Sequence, residues 1–220
     1  WEISWLRPNG VPEVAWAEIV FPAASPSIIE SKSLKLYLNS LNQVVYSSRE
    51  QVAEVITQDL SSACGGAVQV NLLSVDESGE AIGRPEGFEL IDDEPVSDVV
   101  YEYSPDSLNA GNEVVTEQLC SHLLKSNCPV TGQPDWATLL VSYTGPKIDR
   151  AGLLRYVVSF RQKQDFHEHC VETVFTDLMS RCNPESLTVV ARYTRRGGLD
   201  INPWRSTETG KGAGPRLIRQ

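Results

Sequence analysis

Apolar side chains are concentrated in stretches that follow turns rich in glycine and proline. Val14–Phe21 and Trp136–Tyr143 are rich in β-branched and aromatic residues, a composition typical of strands, and the turns before them predict hairpins. Leu187–Tyr193 has the same strand character, and the turn Arg196-Gly197-Gly198 predicts a last strand after it. The apolar residues of Glu117–Leu124 fit both the two-residue period of a strand and the 3.6-residue period of a helix. Either element is therefore possible for this segment.

A different spacing predicts helices. Apolar residues from Phe166 to Met179 recur every three or four positions and form one helical face. Asp165 is expected to open this helix and Asn183-Pro184 to end it. Val52–Leu60 follows the same spacing and predicts an equivalent helix in the first half of the chain.

The chain contains a tandem repeat. Three blocks align in the same order, at offsets of 122, 119 and 118 residues: RPNGVPEVAWAEIVF with PVTGQPDWATLLVSY, SLKLYLNSLNQ with GLLRYVVSFRQ, and EQVAEVITQDLSSAC with EHCVETVFTDLMSRC. Such a pattern predicts duplication, with domains at residues 1–108 and 109–220. Each half is predicted to be an α+β unit, β-β-α-α-β-β, with an antiparallel sheet and both helices on one face.

Composition narrows the classes of function. The 220 residues are 41% hydrophobic and carry a formal charge of −10, which argues against a partner bound through a general positive field, such as nucleic acid or anionic membrane. No apolar run approaches the roughly 20 residues of a membrane span, and no signal peptide is visible. Five cysteines without a CxxC pair predict a reducing, cytoplasmic location.

The halves differ where chemistry is expected. At an offset of 122, Cys128 aligns with Leu6 and Asp135 with Glu13. At an offset of 118, His167 aligns with Arg49, and at an offset of 119, Asp149-Arg150-Ala151 aligns with Glu30-Ser31-Lys32. The two halves are therefore complementary rather than equivalent. This predicts one composite site to which both contribute.

Four motifs together resemble one family. They are ESKSLKLY from Glu30, SNCPVTGQPDW from Ser126, FHE from Phe166 and RYTRRGGLDINPWRS from Arg192. In this order, over essentially the whole chain, they are similar to the NADPH-dependent 7-cyano-7-deazaguanine reductases, the nitrile reductases of queuosine tRNA modification, in their long two-module form. ESKSLKLY is the specific motif, because it separates these reductases from the GTP cyclohydrolase I relatives that share the tunnelling fold.

The resemblance implies two tandem tunnelling-fold modules in a homodimer. It also implies an oxidoreductase that converts the nitrile of the free base to the primary amine, 7-aminomethyl-7-deazaguanine, with two NADPH. No metal and no direct nucleic-acid or membrane partner is implied. Because no GxGxxG motif follows a predicted strand, the residues alone do not indicate a Rossmann site, and NADPH is expected from the resemblance only.

The resemblance also implies roles for individual residues. Cys128 would form a covalent thioimide, Asp135 would transfer protons, and His167 would protonate the imine. The residues implied to bind the base are Glu30, Ser31, Phe166 and Glu168, and those implied to bind NADPH phosphates are Lys32, Lys35 and Arg196. Lys32 and Lys35 are three apart, so they share one face if this segment is helical.

Alternatives remain open from the residues alone. Cys128 could be an inert buried thiol, since a nucleophilic thiolate requires a nearby cation, base or helix N-terminus. A second alternative is a zinc-dependent GTP cyclohydrolase relative with Cys128, His167 or His169 as ligands, although helical residues two apart diverge by roughly 200°. A third is a purine-binding module without catalysis.

Overall fold

The computed structural model describes residues 1–75, 82–83, 85–209 and 216–220, and its contacts divide the chain into two compact units. The first unit comprises Trp1–Gly79 with Gly197–Leu199, and the second comprises Glu80–Arg196 with Asp200–Gln220. The domain boundary after residue 108, which rests on the sequence repeat, stays a prediction. Within the described ranges, no helix is long and apolar enough to cross a membrane.

The first unit is a three-stranded antiparallel sheet with two helices. Its elements are β1 (Glu2–Leu6), β2 (Pro12–Val20), α1 (Ser31–Ser40), a 3₁₀ turn (Leu41–Gln43), α2 (Arg49–Cys64) and β3 (Gln69–Leu73), and the strand order is β1-β2-β3. The predicted strand after the first hairpin turn and the predicted helix are confirmed. The predicted fourth strand is absent from this sheet as far as the structure describes it.

One core joins the sheet to both helices of this unit. Ile3 and Trp5 on β1 are buried together with Leu38 of α1 and Ile56 of α2. Alternate residues of a strand point to the same face, so both helices pack on the face that Ile3 and Trp5 occupy. This agrees with the predicted layering.

The second unit is built on a five-stranded sheet of order β5-β6-β7-β8-β9. Its elements are β4 (Ile82–Gly83), β5 (Glu89–Leu90), β6 (Ala110–Asn127), β7 (Pro134–Ile148), α3 (Arg150–Ser159), a 3₁₀ turn (Phe160–Gln162), α4 (His167–Cys182), β8 (Ser186–Tyr193), β9 (Trp204–Ser206) and β10 (Arg216–Leu217). Only β5 joins this sheet in parallel, whereas β4 and β10 form a separate parallel pair. The ambiguous segment Glu117–Leu124 is strand, inside β6.

Both faces of this larger sheet are covered. Leu139 and Val141 belong to the core that contains α3 and α4, whereas Leu140 between them packs with Cys120 and Val190 on the opposite face. A strand buried on both sides loses the alternation of apolar and polar residues. This explains the unbroken apolar run of residues 139–141 in β7.

Hydrogen bonds repeat between the units at equivalent positions. The Tyr37 hydroxyl donates to Asp59 Oδ2 at 2.7 Å, and the Tyr156 hydroxyl donates to Asp177 Oδ2 at 2.5 Å. Residues 37 and 156 are equivalent by the offset of 119, and residues 59 and 177 by the offset of 118. The sequence repeat therefore extends to individual contacts between the helices of each unit.

The two hairpin turns differ in length by one residue, which corrects one alignment. The last pairs before the turns are Leu6 with Pro12 and Asn127 with Pro134. Asn127 is thus the counterpart of Leu6, and Cys128 matches Arg7 rather than Leu6. The predicted pairing of Cys128 with Leu6 was wrong because a constant offset was carried across a turn of unequal length.

Candidate active site

The predicted catalytic residues of the second unit meet at one end of its sheet. Cys128 begins the turn between β6 and β7, Asp135 is the second residue of β7, and His167 is the first residue of α4. The turn is closed by its own backbone, because the Cys128 N–H donates to the Gln133 carbonyl at 2.8 Å and the Gly132 N–H donates to the Cys128 carbonyl at 2.9 Å. Gly132 has a φ of 69°, a conformation that favours glycine.

Asp135 is a buried carboxylate held by two donors. Its side chain is only 2% exposed, and Oδ1 accepts a hydrogen bond from Arg196 Nη1 at 2.7 Å. The same oxygen lies 3.1 Å from His167 Nε2. Because a buried carboxylate is costly unless charged or polar donors compensate it, the contacts with Arg196 and His167 stabilise the Asp135 side chain at this buried position.

His167 is fixed in orientation by stacking. Its ring lies parallel to Tyr193, with centroids 3.8 Å apart and an angle of 11° between the planes. Nε2 faces Asp135, whereas Nδ1 is buried and lacks a hydrogen-bond partner among the described residues. A proton on Nδ1 would be buried without an acceptor, so the geometry favours the tautomer with its proton on Nε2.

Cys128 is the half-buried thiol of this chain, and its surroundings favour the thiolate. Burial raises the pKa of the Cys128 thiol, but hydrogen bonds from the Thr131 hydroxyl, from the backbone at Thr131 and Val130, and from Arg196 outweigh burial and lower the pKa. A lowered pKa increases the fraction of nucleophilic thiolate near neutral pH. The inert-thiol alternative therefore has little support.

We expect Cys128 to be alkylated faster than the other thiols in the native protein at neutral pH. Burial raises the pKa values of Cys120, Cys170 and Cys182 to about 11, so these groups stay protonated. The rate at Cys128 should fall as the pH drops through its lowered pKa. Timed iodoacetamide labelling followed by peptide mass spectrometry gives the comparison. Equal labelling of Cys128 and these three thiols, or a midpoint above about 8.5, the ordinary thiol value, would contradict this expectation.

Two further predicted residues lie at the start of α4. Phe166 precedes the helix, and its N–H donates to Asp165 Oδ1 at 2.9 Å. Asp165 was expected to be the first residue of the helix cap, but the N-cap position belongs to Phe166. The Asp165 carboxylate accepts the N–H of Phe166 itself and not an N–H of the first helical turn.

Glu168 is half-buried in the first turn and has neither an ion pair nor a hydrogen bond within the described chain. Its carboxylate oxygens are available to a ligand.

The other predicted binding residues belong to the first unit. Glu30 is the N-cap of α1, where Oε1 accepts from the Lys32 N–H and Oε2 from the Ser33 N–H, both at 2.9 Å. Burial raises the pKa of Glu30, but these bonds and those from the Ser31 and Ser33 hydroxyls lower it overall. Ser31 Oγ lies 3.4 Å from Glu30 Oε1.

Lys32 and Lys35 lie near the N-terminal end of α1. Neither lysine forms an ion pair with any residue that the structure describes. Lys35 Nζ lies 3.3 Å from the position that a Cβ on Gly197 would occupy. Two unpaired cations three residues apart fit an anionic ligand.

The first unit carries ion pairs at the positions equivalent to the predicted catalytic residues. Glu13, the counterpart of Asp135, lies 3.2 Å from Arg49, the counterpart of His167. Arg7, the counterpart of Cys128, lies 3.9 Å from the same carboxylate. The positions are equivalent, but guanidinium groups replace the thiol and the imidazole.

The two histidines of the FHE region have separate partners. His167 faces Asp135, whereas His169 Nδ1 lies 3.2 Å from Asp165 Oδ1. Over the residues that the structure describes, no group of three or more His, Cys, Asp or Glu side chains is arranged to hold a metal ion.

The structure brings two residues to the site that the sequence did not single out. Gln133 Oε1 accepts from Arg196 Nη2 at 2.5 Å, and Tyr193 supports the His167 ring. Both Gln133 and Tyr193 lie inside the quoted motifs, and this position is a signal that could have selected them.

Arg196 was expected to bind cofactor phosphate, and in the structure its guanidinium contacts Gln133 and Asp135.

Comparisons with known proteins identify the family. One family model, described as nitrile reductase, 7-cyano-7-deazaguanine-reductase N-term, matches residues 1–72, and a second, described as QueF-like protein, matches residues 134–211. A relative from Azoarcus sp. (strain BH72) is 54% identical over 100% of this chain and 79% of its own length, and one from Chromohalobacter salexigens is 53% identical with the same coverage. Both are named NADPH-dependent 7-cyano-7-deazaguanine reductase.

A solved structure, the archaeosine synthase QueF-Like in the apo form, covers 46% of this chain and 96% of its own, at 17% identity and a TM-score of 0.38. That likeness is too weak to support an argument. The α+β architecture and the site, with a cysteine, a carboxylate and an imidazole at one end of a sheet, are those expected of an enzyme. On the evidence of its curated relatives, the chain belongs to the family of NADPH-dependent 7-cyano-7-deazaguanine reductases, and the predicted membership is confirmed.

Proposed function

We infer that the protein performs the reaction for which its relatives are named. It is an oxidoreductase that uses NADPH to reduce the nitrile of 7-cyano-7-deazaguanine to the primary amine, 7-aminomethyl-7-deazaguanine, for queuosine synthesis. The observation that carries this inference is the meeting of Cys128, Asp135 and His167 in a chain 54% identical to such a reductase.

The chemistry begins with addition of Cys128 Sγ to the electrophilic nitrile carbon. The S–C bond forms as one π bond of the nitrile breaks, and the thiol proton passes through Asp135 to the nitrogen, giving a thioimide. Reduction of its C=N bond adds one hydride to carbon and one proton to nitrogen. The adduct then collapses as the S–C bond breaks: the sulfur leaves as thiolate, and the nitrogen gives up one proton to Asp135, which leaves the imine. His167 Nε2–H, beside Asp135, is the proton donor to the imine nitrogen in the second reduction, and a proton from solvent replaces the one it gives.

NADPH, when bound, supplies one hydride for each of the two reductions. Lys32, Lys35 and Arg196 are the cations that we assign to its phosphates, and the unpaired lysines fit an anionic group. Because the chain has a net charge of −10, such a ligand requires a local positive cluster.

The base is assigned to Phe166 and Glu168 of the second unit and to Glu30 and Ser31 of the first. A carboxylate presents two acceptor oxygens to adjacent N–H donors, and the free oxygens of Glu168 suit the amino and ring N–H groups of the base. An aromatic ring such as Phe166 can pack on a flat heterocycle.

The finer organisation is also part of the proposal. The repeat and the family together support two tandem tunnelling-fold modules, at residues 1–108 and 109–220, in a cytoplasmic homodimer. The substrate is the free base, so no direct contact with nucleic acid is needed.

Reduction to the amine should consume two NADPH for each amine formed, because a nitrile requires four electrons and each cofactor delivers two. Loss of reduced-nicotinamide absorbance and chromatographic quantitation of the amine give the ratio. A ratio of one with accumulation of an aldehyde would contradict the assignment. Binding of the base without any oxidation of NADPH would instead favour the non-catalytic purine-binding module.

A further inference from the structure

The geometry points to Arg196 as a positioning residue for the addition of Cys128 to the nitrile. Its guanidinium holds the Asp135 carboxylate and, through Gln133, the turn that carries the thiol. This role is separate from phosphate binding and operates before any cofactor arrives. The inference rests on the proposed function, since it concerns the first covalent step of that reaction.

The first observation is the bridging geometry of the guanidinium. Arg196 Nη1 donates to Asp135 Oδ1 at 2.7 Å and Nη2 donates to Gln133 Oε1 at 2.5 Å. The two donors belong to one rigid planar group, so they fix the carboxylate and the amide relative to each other. A lysine, with a single ammonium group, lacks this planar fork.

The second observation is that Gln133 continues the connection to the nucleophile. Its backbone carbonyl accepts from the Cys128 N–H at 2.8 Å, at the closure of the turn. The following residue, Pro134, restricts the backbone of Gln133 to extended conformations and pairs with Asn127 at the end of β6. The contact of Arg196 with the Gln133 side chain is therefore transmitted to the backbone beside Cys128.

The third observation is the charge at this end of the sheet. The titratable groups here include Cys128 in the turn, Asp135 on β7, His167 and Cys170 on α4, Tyr193 on β8, Lys125 on β6, Lys163 and Asp165 before α4, and Arg196 after β8. Lys163 pairs with Asp165 at 3.2 Å, and Lys125 donates to Asn127 Oδ1 at 2.6 Å. Arg196 is the cation among them that contacts Asp135, and its hydrogen bond helps to lower the pKa of Cys128.

These contacts define what Arg196 contributes to the step. Before addition, its positive charge lies beside both Asp135 and Cys128 and favours loss of the Cys128 thiol proton. When Asp135 accepts the thiol proton, the charge that binds it to Arg196 disappears and the carboxylic acid is free to protonate the nitrile nitrogen. Arg196 thus holds the Asp135 carboxylate while it accepts the thiol proton, and binds the resulting carboxylic acid less strongly when it donates that proton to the nitrile nitrogen.

Adduct formation without NADPH isolates this role from any contact with the cofactor. The test compares wild type with Arg196→Ala, Arg196→Lys and Gln133→Ala, by intact mass and near-ultraviolet absorbance over a pH series, with the cyano base alone. Arg181→Ala is the matched control, because Arg181 on α4 carries the same charge but pairs with the exposed Asp106 at 3.1 Å.

Loss of a hydrogen bond to a charged group slows the step by about ten- to a hundredfold, so we expect that decrease in Arg196→Ala. The midpoint of its pH profile should move to higher pH, since the remaining thiol ionises less readily. Arg196→Lys should be intermediate, Gln133→Ala should be slowed less, and Arg181→Ala should match wild type. If Arg196→Ala does not fold, a slower rate and a raised midpoint in Arg196→Lys still support the role.

A wild-type rate and midpoint in the folded Arg196 variants, with only the KM for NADPH raised, would show that Arg196 serves the cofactor alone and would overturn the inference. A slower rate with an unchanged midpoint would also overturn it, because that result indicates a general structural role. Absence of the adduct in wild type would instead refute the proposed function.

Discussion

Cys128→Ala is expected to lose NADPH-dependent turnover by roughly four to six orders of magnitude, the scale seen when a catalytic nucleophile is removed. It should also form no covalent complex with the cyano base, because the alanine side chain cannot add to a nitrile carbon. Binding of the base should persist, since Phe166 and Glu168 remain. Intact-mass spectrometry under non-denaturing conditions measures the adduct, and calorimetry measures the binding.

Cys120→Ala is the control for this experiment. Cys120 is a buried thiol on β6, packed with Leu140 and Val190 on the sheet face opposite the helices, and it should retain both adduct and activity. Reductase activity that survives in Cys128→Ala would rule out covalent catalysis by this residue.

Glu30→Ala is expected to weaken binding of the base by about ten- to a hundredfold, because hydrogen bonds to a charged group are lost. The same change removes the N-cap of α1, which typically costs about 1 kcal/mol of stability. Base affinity by calorimetry and the unfolding temperature by circular dichroism therefore both need to be measured. Turnover should fall with the affinity.

The repeat provides a matched control for Glu30. Asp149 is its counterpart and caps α3 through a bond from the Ala151 N–H at 3.2 Å. Asp149→Ala should lower stability to a similar extent and leave the affinity for the base unchanged. Unchanged affinity and turnover in Glu30→Ala would remove Glu30 from the site and with it the composite-site hypothesis.

Elements with a clear local pattern could be predicted from the sequence. The helix α4 and the strand β8 follow from local sequence patterns. They end at Cys182 and Tyr193, close to the predicted limits. The segment Glu117–Leu124 could not be assigned, because β6 packs on both faces and its apolar residues follow no single period. Both faces of β7 and β8 are also buried, but these strands could be predicted from their β-branched and aromatic composition and, for β7, from the turn before it.

The site was only partly predictable. Cys128, Asp135 and His167 were selected through their motifs, whereas the contacts of Arg196 with Asp135 and Gln133 depend on how β7 and the chain after β8 are placed in three dimensions. No local pattern encodes that placement. Stacking of Tyr193 on His167 is likewise a tertiary contact, between residues far apart in the sequence.

The ion pairs formed by Arg7, Glu13 and Arg49 have a consequence for the evolution of this chain. Duplicated genes often protect one another, because either copy can supply a lost activity. Here the first copy has guanidinium groups in place of the thiol and the imidazole, so no single substitution would make it a substitute for the second. With the proposed duplication and the proposed role of Cys128, the protein has specialisation without redundancy, because the first copy could not replace a damaged Cys128.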